Sequence, residues 1–219
     1  RGESPKARAF AYTDNALAGV VAAFDMLRNE SGHVAPEEEH FAMIGHSMGG
    51  VLSMNLAAIA EDHGLPPVKA VLAANAGDVY DLIPGLPGIQ TDNYDQIPED
   101  MLFLGIVGID DTTAGENTVI SLYENIPQVP SENREVLLLT SDRHGRPELV
   151  ADHEAPLAVD MEFDSGGPVA LTIGGGEIED ESIPTADETV DTHDYYGYWK
   201  WSDALLDTAF RDQNREYAL

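Results

Sequence analysis

A mostly parallel α/β sheet flanked by helices is the fold class this sequence predicts, and three observations predict it. Apolar runs at residues 68–77 and 101–110 are continuous, as in strands buried on both faces, and shorter ones stand at 40–45 and 134–142. Segments with apolar residues at helical spacing lie between and beside these runs. Strands alternating with helices in one chain are the pattern of a parallel sheet.

Taken in order, Leu17, Val20, Val21, Phe24 and Leu27 recur at helical spacing and predict a helix over 14–30, with Thr13 or Asp14 as its cap. The run HFAMIG (40–45) predicts a short buried strand. A second helix is expected from Met48 to Glu61, its end marked by Gly64 and by Pro66 and Pro67. Strands follow at 68–77 and 101–110 with a Pro- and Gly-rich loop between them, then a helix near Thr118–Asn125 and a fourth strand at 134–142.

Beyond His153 the pattern breaks. The segment holds Gly174, Gly175 and Gly176 and the acidic run EIEDE, and no Lys or Arg occurs between Arg146 and Lys200. An extended loop or small hairpin is expected there, with 158–192 as an acidic insertion that could cover a site as a lid. The aromatic group YYGYWKW then leads into a last helix whose Trp201, Leu205, Leu206, Ala209 and Phe210 are expected to face the core. No internal repeat is present, and 219 residues fit one domain spanning 1–219.

Composition excludes several function classes. A net charge of -29, from 40 acidic against 11 basic residues, repels nucleic acid and anionic membrane surfaces. Such a surface fits a salt-rich medium, where ions screen its self-repulsion. With no cysteine, thiolate catalysis, disulfides and Cys-ligated zinc are excluded. No run reaches the roughly 18 apolar residues of a membrane span. The chain opens at Arg1 without a Met or a signal-like apolar core, so its beginning reads as cut.

The chemistry concentrates at Gly45-His46-Ser47-Met48-Gly49, a G-x-S-x-G motif with a strand before it and a helix after it. A sharp turn there would expose the Ser47 hydroxyl, and glycine at 45 and 49 would let strand and helix approach closely. The N–H of Met48, at the start of the helix, would point at an oxyanion with the helix dipole behind it.

GHSMGG after an apolar strand resembles the nucleophile elbow of the α/β-hydrolase superfamily. The resemblance covers about residues 13–157 and the last helix; the strands that ordinarily precede the elbow are missing, which reads either as truncation on the N-terminal side of a longer enzyme or as a naturally shortened version with a small sheet. It implies a chain order of nucleophile, acid, histidine. The G-x-x-D spacing of Gly108 and Asp111 places the acid at Asp111, with Asp110 the alternate and Asp78 and Asp142 behind. For the base, His144 lies just beyond VLLLT, where the superfamily carries its histidine, and is preferred. His153, in a HEAP segment that resembles polyester hydrolases and cutinase-like enzymes, is the alternate base, and His193 comes third. His33, His40 and His63 are read as solvated or capping residues.

The resemblance of GHSMGG and HEAP to dienelactone-hydrolase, lipase and cutinase- or polyester-hydrolase-like members therefore implies a serine esterase acting on small-molecule or polymeric carboxylic esters. It implies no dissociable cofactor. The grouping of His144, Asp152 and His153 lacks a metal-ligand spacing, so no metal is expected. Two other readings stand beside it: a noncatalytic binding protein that keeps the fold, favoured by the missing second oxyanion donor, and a thioesterase or amidase.

Overall fold

A computed structural model describes residues 11–32, 34–78, 88–158, 170–173, 176–179 and 190–219. Helix α1 (Tyr12–Asn29) precedes strand β1 (Ala42–His46), helix α2 (Met48–Ile59), strand β2 (Ala70–Ala74), strand β3 (Leu102–Gly108), helix α3 (Asn117–Glu124) and strand β4 (Arg134–Leu139). A hairpin of β5 (Ala170–Ile173) and β6 (Gly176–Glu179) follows, and helix α4 (Trp199–Arg211) continues a π-helical turn over Asp194–Tyr198. The four strands β1–β4 pair side by side in chain order, all parallel.

The period-2 geometry of a strand explains the two-sided core. Val71 and Ala73 of β2 and Phe103 and Val107 of β3 point to one face, where α1, α2 and α3 cover them. Ala70, Leu72 and Ala74, with Leu102, Leu104 and Ile106, point to the other, where Leu205 of α4 and Tyr198 of the π-helical turn before it lie. Every residue of β2 and β3 is buried, as their unbroken apolar runs require. Each large side chain so buried is worth roughly 1.5–3 kcal/mol of transfer free energy. The outer strands differ. No described strand pairs with the far edge of β1 or β4, and Ile44 and Leu138 are each 55% exposed.

Helix α2 carries apolar residues all round and is correspondingly enclosed, with Met54 and Asn55 fully buried. Asn55 is a joint rather than a defect. Its Nδ2 donates to Thr13 Oγ1 and the Gln90 carbonyl, and its Oδ1 accepts from Asp92 N and Tyr94 Oη. That bond corrects the expected cap of α1, which begins one residue before Thr13: Ala11 is its N-cap, without a side-chain bond, and Thr13 serves α2 instead. Helix α2 stops at Ile59, short of Glu61, which opens a 3-10 turn ended by Gly64 in the left-handed conformation, φ 72°.

His33, Gly174 and Gly175 lie outside the described residues, as does most of the 158–192 insertion apart from the β5–β6 hairpin. Among the described residues no helix is long and apolar enough to cross a membrane. The acidic excess carries a testable consequence for stability. The melting temperature is expected to rise steadily as sodium chloride goes from about 0.1 M to about 1 M, where the screening length falls to about 3 Å. A flat or falling curve by circular dichroism would show that self-repulsion does not limit the fold.

Candidate active site

Because all four strands run parallel, their carboxyl ends and the loops that follow them meet at one end of the sheet, the usual crevice of an open α/β fold. Ser47 follows β1, Asn75 follows β2, Asp111 lies just past β3, and His153 lies on the loop beyond β4.

Ser47 sits on a turn with φ 53° and ψ -125°, a region that costs a non-glycine residue about 1–3 kcal/mol. The surroundings enforce it. Ser47 N donates to the Ala74 carbonyl at 3.0 Å, and Gly50 N donates to the Ser47 carbonyl at 3.0 Å. Strand and helix are pressed together at Gly45, where a Cβ would run into the Gly49 carbonyl. The expectation for Gly49 is corrected: a Cβ there meets nothing within 4 Å, and the second close approach is at Gly50, against Ala76 and Ala73. Met48 is the first residue of α2, so its N–H has no intrahelical acceptor.

Three side chains are linked in series. Ser47 Oγ lies 2.9 Å from His153 Nε2, and His153 Nδ1 lies 2.9 Å from Asp111 Oδ2. A carboxylate can only accept, so Nδ1 carries the proton and Nε2 presents its lone pair to the serine hydroxyl. The other carboxylate oxygen, Asp111 Oδ1, accepts from Thr113 N and Ala114 N, each at 2.9 Å. The pair is shielded, the His153 side chain being 8% exposed and that of Asp111 0%.

Asp110 is turned elsewhere. Its Oδ2 accepts from Ser141 Oγ and from Arg143, tying the loop after β3 to the loop after β4. Asp78 accepts from Ile89 N, and Asp142 accepts from the backbone and ring of His144, whose donors hold its carboxyl below its ordinary value.

The preference for His144 is not met by the geometry. After β4 the chain turns outward, and a reciprocal backbone pair between Asp142 and Leu149 closes the excursion. His144 stands within it with a side chain 99% exposed, paired to Asp142. The returning strand then drops onto the end of β3, where Ala151 N donates to Ser141 Oγ and the Ala151 carbonyl accepts from Asp110 N. Gly108 permits this, since a Cβ there would collide with the Ala151 carbonyl. His153 is delivered to Ser47 by that return, and Ala155 of the same HEAP segment packs on the α4 side of the core. His193 is buried at the start of the π-helical turn, its Nδ1 without a partner among the described residues. His40 pairs with Glu37 and lies against Phe210, and His63 is exposed.

His46, the second residue of the G-x-S-x-G motif, lies beside His153. Its Nε2–H donates to the His153 carbonyl at 2.8 Å, and the two rings lie 4.8 Å apart. Burial, more than the neighbouring His153, pushes its imidazole below the ordinary value of about 6.5. The folded protein thus binds the His46 proton less readily than the unfolded chain does. Stability is whole above pH of about 6.5 and declines as pH falls from there toward the lowered folded value. Melting temperatures followed down from about pH 8 are expected to show that decline, and to show a shallower one in His46→Phe.

No protein-family profile and no curated protein matches the sequence. Among solved structures the chain is similar to MGS-M1, an alpha/beta hydrolase enzyme from a Medee basin deep-sea metagenome library, with 17% identity, a TM-score of 0.49, and 89% of this chain aligned to 64% of that one. It is also similar to the esterase domain of a Rhodothermus marinus protein (18% identity, TM-score 0.38, 63% of this chain and 58% of that one). An esterase of Pyrococcus furiosus gives 16% identity and a TM-score of 0.43 over 59% of this chain and 54% of that one. The chain thus spans from about half to under two thirds of the length of these structures. The described residues themselves form a parallel sheet flanked by helices, with a strained serine turn after β1.

Proposed function

We propose that this chain is a serine hydrolase that cleaves carboxylic esters through an acyl-enzyme, with Ser47 as nucleophile, His153 as general base and acid, and Asp111 as the group that orients and supports the imidazole. The observation that carries the reading is the unbroken series from the Ser47 hydroxyl through both His153 nitrogens to a buried carboxylate.

In the acylation step Ser47 Oγ attacks the ester carbonyl carbon while its proton passes to His153 Nε2. The negative charge gathers on the carbonyl oxygen. The Met48 N–H, at the positive end of α2, supports that oxygen, a donor of the kind worth about 3 kcal/mol of barrier. As the tetrahedral intermediate collapses, the imidazolium returns its proton to the departing alkoxide, which leaves as an alcohol. Water then adds to the acyl carbon, giving its proton to Nε2, and release of the carboxylic acid restores Ser47. Asp111 stays ionised throughout and stabilises the imidazolium through Nδ1–H.

The lipase- or polyester-hydrolase-like specificity is proposed on the HEAP segment at 153–156. The acidic surface favours neutral over anionic esters. A p-nitrophenyl acetate assay tests the reaction, with Ser47→Ala expected to lose turnover and to lose labelling by a fluorophosphonate. Turnover that survives Ser47→Ala removes the proposal, and an absence of both turnover and labelling in the unaltered chain moves the weight to a noncatalytic binding protein.

A further inference from the structure

The residue that follows β2 has no part in the chemistry above, yet it bonds both to the end of β3, just before Asp111, and to the loop that carries His153. Asn75 is fully buried, with φ 44°, a left-handed conformation that asparagine tolerates better than most residues. Its backbone is pinned by a 2.7 Å bond from Asn75 N to the Ile106 carbonyl. All of its carboxamide is used. Nδ2 donates to the carbonyls of Asp152, at 2.7 Å, and His153, at 3.2 Å. Oδ1 accepts from Gly108 N at 3.0 Å and stands 3.4 Å from Tyr198 Oη. The partners assign the two ends, because a carbonyl can only accept and a backbone N–H can only donate.

We infer that Asn75, helped by His46, is the positioning residue that holds the His153 imidazole between Ser47 and Asp111, an inference that rests on the serine-hydrolase reading. The base rides on a loop returning from an outward excursion, and the acid rides on a different loop, three residues past Gly108. The carboxamide grips both, with its oxygen on Gly108 and its nitrogen on the main chain of Asp152 and His153. His46, adjacent to Ser47, supplies a second donor to the same His153 carbonyl. The acid and base elements therefore share one joint, to which His46 ties the serine turn, and a carboxamide is the side chain that offers a donor and an acceptor of the required shape. An aspartate there would face two carbonyls with acceptors only.

Asn75→Asp preserves the shape and abolishes the grip on the base loop. Asn75→Gly removes the side chain while accommodating the positive φ. His46→Phe leaves Asn75 intact and removes the other donor. The primary readout is the proton NMR signal of the His153 Nδ1–H held by Asp111, assigned in histidine-labelled protein. It is expected to be sharp in the unaltered chain and to be broadened or lost in the Asn75 variants and weakened in His46→Phe. With p-nitrophenyl acetate, the Asn75 variants are expected to lose about 100-fold in kcat with KM within about twofold, the size of effect that a small misplacement produces. A purely structural role would lower the melting temperature and leave the resonance and the kcat of the folded protein unchanged, which overturns the inference. Should neither Asn75 variant fold, an unaltered resonance and kcat in His46→Phe overturn it equally. The resonance requires no turnover, so an unaltered chain that neither hydrolyses the ester nor takes the fluorophosphonate label removes the serine-hydrolase reading while the positioning claim is still judged on its own signal.

Discussion

Replacing His153 with alanine is expected to lower kcat/KM for p-nitrophenyl acetate by about 1,000-fold or more, whereas His144→Ala stays within about twofold. The contrast follows from where the two rings stand. His153 is the group within hydrogen-bonding reach of Ser47 Oγ, at 2.9 Å, and its far nitrogen is held by a carboxylate with no exposed surface. Without it, no group among the described residues is placed to take the serine proton, and on the proposed mechanism the barrier rises by the loss of general-base catalysis and of the stabilised imidazolium together. His144 is an almost fully exposed ring whose partner is Asp142. The rate of fluorophosphonate labelling gives a second measurement, expected to fall in His153→Ala and to hold in His144→Ala. The reverse pattern would mean that residues 143–148 swing in over the serine and that the 2.9 Å contact of His153 is idle.

The second large effect is on folding. Gly45→Ala is expected to cost about 3 kcal/mol or more, read as a collapse of the melting temperature or as insoluble protein, because overpacking against rigid neighbours is expensive. The added methyl would fall on the Gly49 carbonyl and within 2.5 Å of Gly50 N, all main-chain atoms of the first turn of α2. No rotamer relieves such a clash. Only a shift of the helix away from β1 does, and that shift also moves Ser47 off its strained turn. Gly49→Ala, by contrast, meets nothing within 4 Å and replaces a helical glycine by the best helix former, so a gain of up to about 1 kcal/mol is expected. Equal stabilities for the two variants would show that the elbow does not depend on close contact at Gly45.

These two glycines occupy equivalent letters of one motif and have opposite physical roles. Much else was legible along the chain. The four strands fall where the apolar runs stand, since burial on both faces of a sheet demands unbroken apolar sequence. Ser47 was legible because a strand, a serine between small residues and a helix form a local unit, and local units are written in neighbouring letters. Asp111 was legible through its spacing from Gly108, and the structure adds the reason for that glycine, which makes room for the loop bearing His153. Asn75 carried no signal, since it falls inside the apolar run at 68–77 and its four partners lie far from it in the chain.

The letters alone determined which segments form the sheet, their parallel alternation with helices, and the place of a sharp turn with a serine hydroxyl at the end of β1, because each of these depends on periodicity or on residues adjacent in the chain. Tertiary structure alone decided which histidine reaches that hydroxyl. His144 lies nearer to β4 in sequence, but the pairing of Asp142 with Leu149 sends it outward, and contacts of Ala151 with the loop after β3 bring His153 back. Those are bonds between segments far apart in the chain, and no count of residues along it contains them.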